Sequence, residues 1–197
     1  IFFPNMETAV SLVQDMMINI GDNVSIYGQG CVGLLVNMIL SLNKSIIVNI
    51  FELLDNRIQI AQKVNPNCII NPYGVDSDII LEITGSIKVL NNILNNSSFS
   101  QKIVIGSWYE NKESPILLGT KFHRNHLNIV TSQVSNLSNN LLGRWNKKRR
   151  YDFVWELIKK LKPSKKIPIN FENINDSQKI FDQLKNKQKF IQIAFKY

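Results

Sequence analysis

Residues 24–52 read VSIYGQGCVGLLVNMILSLNKSIIVNIFE, and the order of residue types in this stretch decides the fold. A short apolar strand over 24–27 runs straight into Gly28-Gln29-Gly30-Cys31-Val32-Gly33. An amphipathic helix over about 32–42 follows, and a second apolar strand over 45–51 ends on the acid Glu52. In such a glycine pattern Gly28 lets the chain turn out of the strand, Gly30 lets backbone approach a pyrophosphate, and Gly33 lets the helix pack on the sheet. The helix N-terminus then faces a diphosphate with unpaired N–H groups and the positive end of its dipole. Gln29, Cys31 and Val32 fill the remaining positions of the turn.

Glu52 lies nineteen residues beyond Gly33, where a carboxylate can accept hydrogen bonds from an adenosine ribose diol. A 2′-phosphate there would meet a like charge, so the sequence favours NAD over NADP. Arg57, in a helix expected over about 54–64, points back toward the end of the second strand.

Outward from this unit, strands and helices alternate. Apolar residues at Met6, Ala9, Val10, Val13, Met16, Met17 and Ile20 share one helix face, with Asn5 as cap and Gly21 as stop. Strands are expected over 68–71, 78–84, 102–105 and 127–132, with a helix over about 86–94 and turn chemistry at Asn71-Pro72-Tyr73-Gly74. This alternation predicts an α/β fold, a doubly wound parallel (Rossmann) sheet, over residues 1–133. Ligands bind such sheets at the carboxyl ends of the strands, which brings Gly28, Glu52, Thr84, Gly85, Gly106, Ser107 and Ser132 to one rim. Taken singly, Thr84–Ser86 and Gly106–Ser107 read equally as helix caps and tight turns.

Residues 134–166 form a linker and a helix over 151–160 that turns Phe153, Val154, Leu157, Ile158 and Leu161 inward. Residues 167–197 read strand (167–171), helix (176–184, capped by Asn175 or Asp176) and strand (190–195), a small piece of a second domain that must dock on something larger.

Composition narrows the function. The 197 residues are 44% hydrophobic and 19% charged, as in globular proteins, and no apolar run reaches the ~20 residues that span a bilayer. Two cysteines, Cys31 and Cys68, show no paired spacing, which fits a reducing, cytoplasmic setting. Cys31 reads as a small apolar filler, with a reactive thiol at a helix N-terminus as the alternative. The net charge of +8 carries no nucleic-acid motif, and Lys147-Lys148-Arg149-Arg150 reads first as a solvated face and second as an anion or partner patch. His123 and His126, the only histidines, make a poor zinc site without a third ligand and read as structural or cofactor-edge residues. The sequence has no initiating Met, and an upstream segment is expected.

The motifs ETAVSLV, IGDNVSIYGQGCVGLL, FELLDNRIQIAQ, LEITGS, KIVIGSWY, FENINDSQKIFDQL and FIQIAFKY together resemble the medium-chain dehydrogenase/reductase superfamily, the zinc-type alcohol dehydrogenases and their relatives. FHRNHLNIVTSQVS and GRWNKKRR resemble a bacterial-type subgroup of zinc-binding dehydrogenases. The resemblance implies a nicotinamide over the strand ends near Ile105, Gly106 and Ser107, with Thr8 beside it and Gln192 at the pyrophosphate. It implies that the segment from about Ile167 belongs to a catalytic, GroES-like domain whose N-terminal part lies outside this chain. The zinc ligands would lie there too, so zinc is an expectation for the full-length protein only. Where the family can carry a ligand before the first helix, this chain has Phe3 and Pro4, with Glu7 close by.

The expected activity is therefore NAD-dependent hydride transfer to or from an alcohol or polyol. Catalytic residues are not assigned, the partners are a small-molecule alcohol and a second copy (a dimer through the strand over 127–132), and neither nucleic acid nor membrane is involved. A non-catalytic nucleotide-binding module or truncated paralogue is the alternative.

Overall fold

The computed structural model describes residues 1–72, 76–109, 113–119, 121–184 and 190–197. Helix α1 (Phe3–Met16) leads into β1 (Asn23–Tyr27), α2 (Cys31–Leu40), β2 (Ile47–Phe51), α3 (Asp55–Val64) and the short β3 (Ile69–Ile70). Then come β4 (Ile79–Glu82), α4 (Ile87–Asn96), β5 (Lys102–Ile105), the single turn α5 (Lys121–Arg124) and β6 (Asn128–Thr131). The six strands are parallel, in the order β3-β2-β1-β4-β5-β6, with the reversal of strand order between β1 and β4. The doubly wound sheet read from the sequence is thus present, and the glycine turn sits at its switch point. The Tyr73-Gly74 half of the expected turn lies outside the described residues.

The two faces of the sheet are built differently. Val24 and Ile26 of β1, Val48 and Ile50 of β2, and Ile79 and Leu81 of β4 join one buried core with α1 and α2. On the other face α4 buries Leu90, Ile93 and Leu94 against Ile80 and Ile103. Over β1 and β2 that same face carries Asn23, Ser25 and Asn49, held by side-chain hydrogen bonds from Asn49 to Asn23 and between Ser25 and Ser77. Among the described residues the connection between β3 and β4 contains no helix, so polar pairing takes the place of a covering element.

Several boundaries differ from expectation. Helix α1 starts at Phe3, with Pro4 in its first turn and no side-chain cap, because the fixed φ of proline suits that position. It stops at Met17, whose φ of 54° is left-handed, and Ile20 is left outside the helix and exposed. Helix α6 (Lys147–Leu161) begins four residues earlier than read, since the Asn146 side chain accepts from the Arg149 N–H at 2.8 Å and caps it there. Val154 and Leu157 point inward as expected, whereas Phe153 turns outward, edge-on to Trp145 at 5.8 Å.

The solvated-face reading of the basic cluster fails at Arg150, whose side chain is 1% exposed. Its guanidinium pairs with Glu7 at 2.7 Å and donates to the carbonyls of Val134 and Asn136. In the C-terminal piece Ile167 enters the main core, and the strands are β7 (Asn170–Asn173) and β8 (Ile193–Lys196), parallel and joined through α7 (Ser177–Leu184).

Candidate cofactor site

Each glycine of the turn has a separate structural reason. Gly28 has φ +102°, and a Cβ there would lie 3.1 Å from the Ile83 carbonyl oxygen, so this position needs glycine. A Cβ on Gly33 would lie 2.2 Å from the Gly28 carbonyl oxygen, because α2 crosses the turn at backbone contact. A Cβ on Gly30 would meet nothing within 4 Å, and no side chain caps α2, so the amides of its first turn face open space. The Gln29 side chain points away from that space, fully buried, with its amide on the Gly28 carbonyl and near Asn37. Only the backbone of Gln29 is available at the site, and Val32 packs half-buried on the core.

Across the cleft, Glu52 is held by backbone donors: the N–H groups of Gln29 at 2.9 Å, Leu53 at 2.7 Å and Leu54 at 3.1 Å. Arg57 lies 3.8 Å from the same carboxylate, as its place in the sequence predicted. Asn71 was missed at this site. Its side chain accepts from the Glu52 N–H and donates to the Glu52 carbonyl, each at 2.9 Å, and so fixes the strand end that carries the acid. Beneath lie the rings of Tyr27 and Phe51, stacked at 4.2 Å, and burial pushes the Tyr27 hydroxyl pKa up. The cleft above them has a volume of about 660 Å³ and is lined by Gly28, Gly30, Glu52, Arg57, Thr84 and Lys88 among others. Its shape and its single acid suit a nucleoside with a free ribose diol.

The ends of β4 and β5 continue the rim. Glu82, fully buried, accepts from the Thr84 N–H at 2.7 Å and from the hydroxyls of Thr84 and Tyr109. Burial and the Glu82 carboxylate push the Tyr109 hydroxyl far above the ordinary tyrosine range, so it stays protonated as a donor. Gly85 donates to Ser107 Oγ at 2.8 Å, which joins two expected site residues directly. Gly106 follows the half-buried Ile105, with the Leu12 side chain so close that a Cβ would lie 2.7 Å from it.

Helix α1 and the C-terminal segment close the other side. Asn5 donates to Gln192 Oε1 at 2.7 Å and to Cys31 Sγ at 3.3 Å, and the Cys31 thiol donates to Gln192 at 3.1 Å. Gln192 is thereby brought to the start of α2. Thr8 shares a helix face with Asn5 and Leu12 and stands between the glycine turn and Gly106, its hydroxyl bonded to the Pro4 carbonyl at 3.1 Å.

Burial pushes the Cys31 thiol from its ordinary 9.0 up to about 11. Because the folded state holds this proton more tightly, the contribution to stability is complete below pH 9 and is lost as pH rises from 9.0 to about 11. At pH 8, alkylation of Cys31 by iodoacetamide is expected to run more than about a hundredfold slower than that of an exposed cysteine with pKa ~8.5. Peptide mapping after timed quenching reads this, and a rate equal to that of an exposed cysteine would revive the reactive-thiol reading.

His123 lies in α5 and His126, with φ 51°, stacks on Phe99 at 6.2 Å. No group of three His, Cys, Asp or Glu residues that could hold a metal is found among the described residues. Phe3 and Pro4 have no donor, and Glu7 is engaged by Arg150, so these residues do not compose a zinc site. Among the described residues no helix is long and apolar enough to cross a membrane.

No protein-family model matches the chain. It is 24% identical over 164 residues to the D-guloside 3-dehydrogenase of Escherichia coli K12, covering 76% of this chain and 47% of that protein. The chain thus spans about half the length of the curated relatives it matches. Among solved structures it is similar to a short-chain alcohol dehydrogenase of Escherichia coli CFT073 complexed with NADH, with a TM-score of 0.76 and 17% identity over 100% of this chain and 58% of that one. The 2R,3R-butanediol dehydrogenase of Bacillus subtilis gives a TM-score of 0.73 and 18% identity over 98% of this chain and 55% of the other. The chain thus shares the fold of these solved structures.

Proposed function

We propose that this chain, similar in fold to alcohol and polyol dehydrogenases of the medium-chain type, is the nucleotide-binding part of an NAD-dependent oxidoreductase acting on an alcohol, polyol or sugar hydroxyl. The observation that carries the reading is Glu52, a carboxylate suspended between the Gln29 amide and the start of α3 at the carboxyl end of β2. There it could accept from the hydroxyls of an adenosine ribose, and Arg57, which lines the same cleft, would lie beside the base. The pyrophosphate would take the N–H groups at the start of α2, with Gly30 leaving room for it and Gln192 on its flank.

Bound NAD supplies the hydride-accepting carbon. Ile105, Gly106 and Ser107 would hold the nicotinamide, with Thr8 and Leu12 on the α1 side and Thr84 and Gly85, tied to Ser107, next to them. The hydroxyl proton of the substrate is handled by groups of the wider protein. Zinc, if the full-length protein holds it, would take its ligands from outside the described residues, among which no group that could hold a metal is found. Among the described residues β6 is the last strand of the sheet, which supports a dimer that extends the sheet there, and two free cysteines fit a cytoplasmic protein.

Isothermal titration with NAD and NADP tests the reading directly, and NAD is expected to bind the more tightly. Glu52→Gln removes the charge and keeps one of the two oxygens that accept from the backbone amides. It is expected to weaken NAD relative to NADP by about 10-fold, the range of a lost charge-assisted hydrogen bond. An unchanged ratio would remove Glu52 from its role.

A further inference from the structure

Glu82 is fully buried at the last position of β4, and a carboxylate can only accept hydrogen bonds. Three donors converge on it: the Thr84 N–H at 2.7 Å, the Thr84 hydroxyl, and the Tyr109 hydroxyl from the segment after β5. Thr84 lines the cofactor cleft, and its neighbour Gly85 donates to Ser107 Oγ at 2.8 Å. The turns after β4 and β5 are therefore tied together twice, at Gly85–Ser107 and at Glu82–Tyr109, and Ser107 is only two residues from Tyr109. Ser107 also acts on the Tyr109 phenol directly, opposing the upward shift that burial and Glu82 impose on it.

We propose that Tyr109, anchored on Glu82, is a positioning residue for the nicotinamide half of the cofactor and acts through Ser107. The proposal deepens the dehydrogenase reading above and rests on it. At the adenosine end Glu52 is held by the amides of Gln29, Leu53 and Leu54 and by Asn71, and none of these bonds involves Tyr109. The two ends of the site are thus fixed by separate sets of hydrogen bonds, so a cut at Tyr109 should loosen one end and spare the other. A hydrogen bond to a buried charge is among the stronger ones. A ligand-bearing segment that loses such support sits loosely, and a displacement of about 1 Å is enough to forfeit much of its contribution.

The test is calorimetric titration of the native protein and of Tyr109→Phe with NAD and with ADP-ribose, which is NAD without the nicotinamide. The variant keeps the ring and removes only the hydroxyl. It is expected to raise Kd for NAD on the order of 5- to 10-fold, the range of a lost hydrogen bond to a charged group, and to leave Kd for ADP-ribose within about twofold. In a Ser107→Ala background the same change should cost NAD binding less, because the two residues act in one chain. Equal weakening of both ligands, marking Tyr109 as general support for the fold, would overturn the proposal. So would an unchanged Kd for NAD, or effects of the two substitutions that simply add. Absence of NAD binding to the native protein would instead overturn the broader reading.

Discussion

Replacement of Arg150 by methionine is expected to lower stability by about 3–5 kcal/mol, the cost of breaking a buried ion pair from one side. The guanidinium is 1% exposed and joins its own helix to two other segments: Glu7 of α1 at 2.7 Å and the carbonyls of Val134 and Asn136 in the chain leaving β6. Its removal strands a carboxylate that is itself only 16% exposed, together with carbonyls that have lost their donor. For a chain of this size the thermal midpoint should drop on the order of 10 °C, measured by circular dichroism or calorimetry. The companion double replacement, Arg150→Met with Glu7→Leu, should restore most of the loss, because the cost lies in the orphaned charge. A single variant that melts within a degree of the native protein would show the pair to be dispensable.

Gly33→Ala should damage both folding and cofactor binding, whereas Gly30→Ala should damage binding alone. At Gly33 the added methyl would lie 2.2 Å from the Gly28 carbonyl oxygen, and since that atom is backbone the whole of α2 has to move away from the sheet. Overpacking of this kind costs about 1–3 kcal/mol, and displacing the amides at the start of the helix should weaken NAD by more than about 10-fold. At Gly30 φ is −71°, ordinary for alanine, and a methyl meets nothing within 4 Å. Its stability should therefore be native, while the methyl fills the space a pyrophosphate needs. Paired titrations and melting curves separate the two variants. Equal melting points for both would mean that α2 yields at Gly33 without strain.

The central β-α-β unit was legible because its signals are local: the alternation of strand and helix periods, and glycines whose spacing fixes both a turn and a close crossing. Glu52 and Arg57 were readable for the same reason, since a strand end and the next helix position them within a few residues. Arg150 was misread by charge density. Its spacing to Val154, Leu157 and Leu161 already placed it on the apolar stripe of its helix, so the signal was present. Asn71 and Tyr109 differ, because each acts through a partner on another strand, Glu52 and Glu82, and nothing in the neighbouring sequence announces that pairing. The polar half of the sheet is an intermediate case. Asn23, Ser25 and Asn49 alternate with apolar residues as a one-sided strand should, but which half is left without a helix follows only from strand order.

The hydrogen bond from Asn5 to Gln192 spans 187 positions, nearly the length of the chain. A contact of this separation closes a very long loop, and the entropy of that closure must be overcome before the contact contributes. A dinucleotide that binds only the closed form would act as a clasp across these two segments, raising the melting temperature with the logarithm of its concentration once that exceeds Kd.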